Sequence, residues 1–221
     1  MSGNIKIGKF CIIDDCVVFG NNVIVENFVE IRCSEQCEKI VIGDGVTIES
    51  GAILEGPCKI GNNVTIGPNS LIKSGTVVED GAILQGNNRI GNNCVIKKNV
   101  VMKFSSILTS NTLVESNVFI GPHVIVLGDD ITRSEESAHS TKTSTIGSSS
   151  FIGAGTKIIA GRRIAPNSIV GAMSLVNSDI SYPGVYVGQP IRMVRNLDEN
   201  QSPIKLKLKN IDGVGVILDK D

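Results

Sequence analysis

From Ile42 the chain places an apolar residue at every sixth position: Ile42, Ile48, Leu54, Ile60, Ile66, Ile72, Val78, Leu84, Ile90, Ile96, Met102, Leu108, Val114, Ile120 and Val126. The same period runs through Ile7, Ile13, Phe19, Val25 and Ile31 before it and Ile146, Ile152, Ile158, Ile164, Val170 and Val176 after it, 26 hexads in all. Two positions before most anchors stands a slim residue, such as Ala52, Cys58, Val64, Ser70, Thr76, Cys94, Ser106, Thr112, Ser150, Thr156 or Ser174; Ile40, Asn88 and Arg162 break the rule. Turn formers fill the intervals. Gly61-Asn62-Asn63 and Gly91-Asn92-Asn93 tolerate positive φ and would interrupt any helix. Anchor, turn and slim residue in a period of six predict short strands joined by tight turns, the pattern of a hexapeptide parallel β-helix.

That pattern resembles the hexapeptide-repeat family, in which three hexads make one triangular, left-handed coil of 18 residues. The resemblance implies an all-β chain: a left-handed parallel β-helix over residues 1–195, nearly nine coils long, followed by a C-terminal extension over 196–221. It places Leu54, Ile72, Ile90, Leu108 and Val126 in one internal column. At a strand spacing of about 4.8 Å the prism would be about 40 Å long. Composition agrees with thin, repeated layers. Ile and Val make up about a quarter of the chain, Gly numbers 24, aromatic residues are 4 % and Trp is absent, which suits a pleated surface packed with slim β-branched side chains rather than an irregular core.

The period breaks twice. Between Ile31 and Ile42 a five-residue excess around Cys33–Glu38 predicts a small corner loop. Between Val126 and Ile146 about 14 extra residues leave the prism as a polar loop insertion over 127–145, carrying Asp129, Asp130, Arg133, Glu135, Glu136 and His139. A loop held on a rigid scaffold is a usual place for function. After Val176 come a turn at Asp179–Gly184 and the segment Val185–Arg195. The extension alternates apolar and basic residues at Ile204–Lys209, turns at Asp212-Gly213 and continues in Val214–Leu218, which reads as a β-hairpin.

A more specific resemblance lies in 144–195. Ile146-Gly147, Ile152-Gly153-Ala154-Gly155, Val170-Gly171-Ala172-Met173-Ser174-Leu175-Val176 and Val187-Gly188-Gln189-Pro190-Ile191-Arg192 are similar to the end segment of hexapeptide acyltransferases that acetylate sugars, above all nucleotide sugars. The resemblance implies acetyl-CoA as acyl donor, a sugar or nucleotide-sugar acceptor, and a homotrimer whose pantetheine grooves lie between two prisms. Carried over by position, Gly153, Ala154, Gly171 and Ala172 would line the groove, Asn177 and Ser178 would lie farther along it, and Arg192 and Arg195 would face the nucleotide phosphates. Gly and Ala also suit any tight coil turn.

Acyl transfer from a thioester needs a nucleophile stripped of its proton, and a neutral His is the usual base. The chain has two. His123 fills the corner slot that Asn63 and Asn69 fill elsewhere, so it reads both as a positive-φ turn residue and as a site residue just before the long loop. His139 lies in the loop itself. Where several nucleotide-sugar members begin this loop with Asn-Asp, this chain has Gly128-Asp129, which leaves Asp129 to orient an amino or hydroxyl group.

The net charge of −1, with no basic cluster, sets nucleic acid aside as a partner. No stretch reaches the 18 apolar residues of a membrane span and the start lacks a signal-peptide pattern, so the expected location is the cytoplasm. The six Cys are then expected as thiols, with Cys11, Cys58 and Cys94 in slim inward slots; Cys33 and Cys37, spaced C-x3-C, could pair or hold a metal, though no His stands near. No metal site is expected, and two His are too few for the three His ligands around a metal that the hexapeptide carbonic anhydrases need. The competing class is a non-catalytic β-helix scaffold, which predicts neither CoA binding nor a role for the loop.

Overall fold

The computed structural model describes residues 4–33, 39–128 and 143–197, together with the short strands Leu208–Lys209 and Ile217–Leu218. Each of the 26 hexad anchors ends or sits in a two- or three-residue strand, from Ile5–Ile7 to Leu175–Val176, and no helix occurs among the described residues. These strands form three parallel faces. The first runs from Ile5–Ile7 to Ile169–Val170 and on into Gly184–Val187, the second from Ile12–Ile13 to Leu175–Val176, and the third from Val17–Phe19 to Arg163–Ile164. Pairing is in register at a separation of 18 residues wherever no loop intervenes, as in Leu54↔Ile72, Ile72↔Ile90, Ile90↔Leu108 and Leu108↔Val126. The result is the parallel β-solenoid of about nine coils that the repeat predicts, in agreement with the left-handed coil of the resemblance.

Each strand alternates one inward and one outward residue, and the anchors point in: from Ile31 to Val176 they are at most 2 % exposed. Only the first coil departs from this. Ile7 is 53 % exposed, on a strand that pairs on one side only, with Val23–Val25, among the described residues. The slim slots follow from the geometry of the corners. Ser106 Oγ, for instance, donates to Gly121 O of the next coil and accepts from Val124 N–H, so a small hydroxyl satisfies backbone groups that the corner leaves unpaired. Asn88, an exception to the slim rule, does the same: its Nδ2 donates to Gln85 O and its Oδ1 accepts from Ser106 N–H at 2.9 Å. Arg162 finds no such solution, and its buried Nε has no partner among the described residues.

The corners are turns in the left-handed region, which explains the Asn and Gly periodicity. Asn63, Asn69, Asn87, Asn93 and Asn99 have φ between +53° and +60°. Gly45, at φ +67°, lies beneath Asn63 of the next coil, whose Oδ1 would stand 2.5 Å from any Cβ placed there. At the corner joining third to first face, side chains also staple successive turns. Asp44 Oδ1 accepts from Asn21 N–H, Asn62 Oδ1 from Asp44 N–H and Asp80 Oδ1 from Asn62 N–H, at 2.6, 2.9 and 2.8 Å.

One expectation is corrected. Cys33 does not stand as a thiol or pair with Cys37: it forms a disulfide with Cys16, Cα atoms 6.5 Å apart, which links the first two coils at the corner between the second and third faces. The period, read for its apolar anchors, puts no weight on the corner slot of Cys16, which brings it beside the first loop. Cys11, Cys58 and Cys94 are free, the last two buried; Cys37 lies outside the described residues. Gly184–Val187 extends the first face and pairs antiparallel with Arg192–Asn196, capping the prism at its C-terminal end. Leu208–Lys209 pairs antiparallel with Ile217–Leu218.

Candidate functional site

Of the residues that the sequence singled out, the corner between the first and second faces holds His123, Gly153, Ala154, Gly171 and Ala172. Its tip is a column of positive-φ residues, one per coil: Phe10, Phe28, Gly51, Asn69, Asn87, Ser105, His123, Gly155 and Met173. Each tip N–H after the first donates to the carbonyl of the residue before the tip on the preceding coil. His123 N–H thus reaches Phe104 O at 3.0 Å, Gly155 reaches Pro122 O at 2.9 Å and Met173 reaches Ala154 O at 2.8 Å. His123 is therefore held at φ +57°, with its imidazole on the exposed side of a rigid turn. Stacked above it are Gly153-Ala154-Gly155 and then Gly171-Ala172-Met173.

The glycines leave backbone bare along this edge. A Cβ on Gly121 would lie 2.7 Å from Ala154 N, and one on Gly153 would fall within 3 Å of the backbone of Gly171 and Ala172, so coils at this corner approach each other as closely as backbone allows. On the first-face side stand two stacked rings, Phe119 and Phe151, with centroids 4.9 Å apart and planes 2° from parallel. Lys103 Nζ lies over the Phe119 ring, 5.9 Å from its centroid, and makes no ion pair among the described residues. The corner thus offers an exposed imidazole, small side chains running away from it toward the C-terminal end, and an unpaired cation beside aromatic rings.

The C-terminal cap is tied to the same edge. Gly188 N–H donates to Ser174 Oγ at 3.2 Å, Gln189 Nε2 to Met173 O at 2.6 Å and Ile191 N–H to Leu175 O at 3.1 Å. These bonds fix the turn from which Arg192 emerges, opposite Val187 on the strand beyond it and four strand spacings, about 19 Å, along the first face from the coil of His123. Arg195, opposite Val185, sits farther along the same exposed strand.

Other expected site residues stand elsewhere. Asn177 and Ser178 follow Leu175–Val176 at the corner between second and third faces, not at the corner of His123. The long loop leaves the prism at that second corner too, after Leu127-Gly128. Asp129 and His139 lie outside the described residues. His123 and the loop base are opposite ends of one coil segment, five residues and at most about 17 Å apart. Lys103, the Phe119–Phe151 stack and Met173 were not singled out by the sequence reading. Only an alignment of corner slots would have flagged Met173, which occupies a position otherwise filled at five of the six preceding coils by Gly, Asn or Ser.

No buried thiol competes as a nucleophile. Burial pushes the Cys58 thiol up to about 12, and burial likewise raises Cys94 despite backbone N–H groups that favour its thiolate. No group of three or more His, Cys, Asp or Glu able to hold a metal occurs among the described residues. No helix there is long and apolar enough to cross a membrane.

Comparisons with known proteins address the repeat and the fold. The model of the bacterial transferase hexapeptide, six repeats, matches residues 39–74. The acetyltransferase domain of PglB from Neisseria gonorrhoeae superposes with a TM-score of 0.50 at 17 % identity, over 67 % of this chain and 57 % of that one. UDP-N-acetylglucosamine acyltransferase from Campylobacter jejuni gives 0.47 at 14 % identity, over 83 % and 71 %. A hexapeptide-repeat acetyltransferase from Vibrio cholerae, complexed with acetyl coenzyme A, gives 0.39 at 23 % identity, over 68 % and 73 %. The chain spans little more than half the length of the PglB chain. No curated protein matches it in sequence. In its fold the chain is a hexapeptide-repeat β-solenoid, and over residues 39–74 it carries the repeat of the bacterial hexapeptide transferases.

Proposed function

We propose that the protein is an acyl-CoA-dependent acetyltransferase that acetylates an amino or hydroxyl group of a sugar, with a nucleotide-linked amino sugar as the preferred acceptor. The observation that carries this reading is the column at the first corner, where an exposed His123 is followed by Gly153-Ala154, Gly171-Ala172 and the turn that presents Arg192. A pantetheine arm lying on this edge meets no large side chain before Met173 and can hydrogen-bond to backbone groups. At its far end the Arg192 guanidinium is placed for the nucleotide phosphates, with Arg195 beyond it.

In the reaction, neutral His123 takes the proton of the attacking amine or hydroxyl as its nitrogen or oxygen bonds to the thioester carbonyl carbon. The tetrahedral intermediate collapses by breaking the carbon–sulfur bond, and the imidazolium returns the proton to the departing CoA sulfur. Lys103 and the Phe119–Phe151 stack lie on the first-face side of His123 and are suited to an acceptor with a ring and a negative charge.

The resemblance implies a homotrimer, and the distribution of the expected site residues over two corners supports it. Packing the first corner of one copy against the second corner of the next would bring the neighbour's Asn177 and Ser178, and the residues Leu127-Gly128 that precede its loop, to the edge that holds His123. The likeness of the repeat to bacterial hexapeptide transferases supports the same reading.

The test needs no knowledge of the acceptor. Calorimetric titration of acetyl-CoA, with free CoA alongside, is expected to show saturable binding near one site per chain, weakened by Arg192→Ala. Absence of binding up to millimolar donor would refute the reading in favour of a β-helix scaffold. With an acceptor in hand, His123→Ala is expected to lower kcat about 100-fold or more.

A further inference from the structure

We propose that Lys103 is a site of self-acetylation: with no acceptor in place, its side-chain amine takes the acetyl group from the donor thioester. The inference rests on the acyl-CoA function proposed above. In that reading the donor arm lies on the C-terminal side of His123, over Gly153-Ala154 and Gly171-Ala172, so a nucleophile has to approach the thioester from the N-terminal side. The turn found there, one coil before His123, is Lys103-Phe104-Ser105. His123 N–H donates to Phe104 O at 3.0 Å, which ties the base to the residue next to Lys103.

The Lys103 amine is free of the contacts that occupy other lysines. Lys73 and Lys98 stand 3.5 Å from Glu55 and Asp80, whereas Lys103 has no carboxylate partner among the described residues. Its Nζ lies 5.9 Å from the centroid of the Phe119 ring, on the strand that leads into the turn of His123. Between that strand and the imidazole stands Gly121, two residues and at most about 7 Å from His123. It puts no side chain in the way of the flexible lysine stem. Lys157 flanks the same column from the donor side, in register with Ile125 one coil beyond His123. Lys9, also at the first corner, is five coils from Lys103, about 24 Å.

In the reaction the Lys103 nitrogen, as the free amine, bonds to the thioester carbonyl carbon and the carbon–sulfur bond breaks. His123 takes the proton that the nitrogen sheds and passes it to the CoA sulfur, so the products are Nε-acetyllysine and free CoA. The ammonium becomes a neutral amide. The corner then loses the cation set against a negatively charged acceptor, and acetyl-CoA that accumulates without acceptor closes the acceptor side of its own site.

The experiment incubates the purified protein with acetyl-CoA and no acceptor, and follows the acetylation of each lysine over time by peptide mass spectrometry. Spontaneous acetylation tracks exposure, which would make half-buried Lys103 slower than exposed Lys59 and Lys157. The expected result is the reverse, an initial rate at Lys103 at least about tenfold above both, from proximity and base catalysis. Excess free CoA should abolish the Lys103 signal without changing that of Lys59. His123→Asn, which keeps a residue suited to the positive-φ turn, should bring it down to the rate at Lys59 or below. A Lys103 rate no higher than that of Lys59, in a protein that binds acetyl-CoA saturably by calorimetry, would overturn the proposal and leave the donor reading standing. So would a Lys103 rate indifferent to free CoA or to His123→Asn, or faster modification of Lys157. Absence of saturable acetyl-CoA binding would overturn both.

Discussion

Two isoleucines in the same slot of the repeat should differ several-fold in what they contribute to stability. Ile90 is 1 % exposed and in register with Ile72 below and Leu108 above, whereas Ile7, a hexad anchor of the first coil on the first face, is 53 % exposed. Truncating Ile90 to Ala removes three buried carbons, about 2.4 kcal/mol of transfer free energy at about 0.8 kcal/mol each. The rigid coils on either side cannot collapse into the space, and the cavity brings the expected loss to about 3–4 kcal/mol. In Ile7→Ala about half of the side-chain area was never buried and no closed cavity forms, so the loss is about 1 kcal/mol. For a chain of this size these losses correspond to Tm decreases of about 10 °C and about 3 °C. Urea unfolding followed by circular dichroism, with the slope held constant between variants, would measure both. Equal losses, or a larger loss at Ile7, would refute the claim that anchor energy is set by coverage from the adjacent coils.

Other outcomes follow from single contacts. The Cys16–Cys33 disulfide closes a loop with a sequence separation of 17, for which chain-entropy arguments give about 3 kcal/mol; reductant should lower the Tm of the wild type and leave that of Cys16→Ser unchanged. Burial, with the nearby Glu26 carboxylate adding to it, raises the Glu49 carboxyl above its ordinary 4.5. A raised acid destabilises the fold when ionised, so Glu49→Gln should stabilise by under about 1 kcal/mol at pH 7, a gain that fades as the pH falls through the raised value and is absent below 4.5 in thermal melts. Asp80 behaves oppositely. The Asn62 N–H, and then Lys98, hold its carboxyl below its ordinary 3.8, so its support for the third-to-first-face corner is complete above that pH and is lost as the pH falls through the lowered value, a loss that Asp80→Asn should abolish.

The sequence alone determined the repeat, the 26 short strands from Ile5–Ile7 to Leu175–Val176 and the identity of almost every core residue. It could do so because the coil is a local object: hydrogen-bonded neighbours are 18 residues apart, each anchor faces the same surroundings as the next, and a period of six with Gly and Asn at the turns leaves few other structures. It likewise placed His123 in a positive-φ corner slot, since that slot is defined by the period. The tertiary structure decided what depends on winding the period into three corners. Only there does His123 fall in line with Gly153-Ala154 and Gly171-Ala172, while Asn177 and Ser178, equally near in sequence, go to the next corner with the loop. Cys16 meets Cys33, and Met173 reaches over Gly155, for the same reason. Each pair is about one coil apart along the chain, a separation at which the apolar period carries no information about which corner side chains touch; that is fixed by backbone hydrogen bonds between stacked coils.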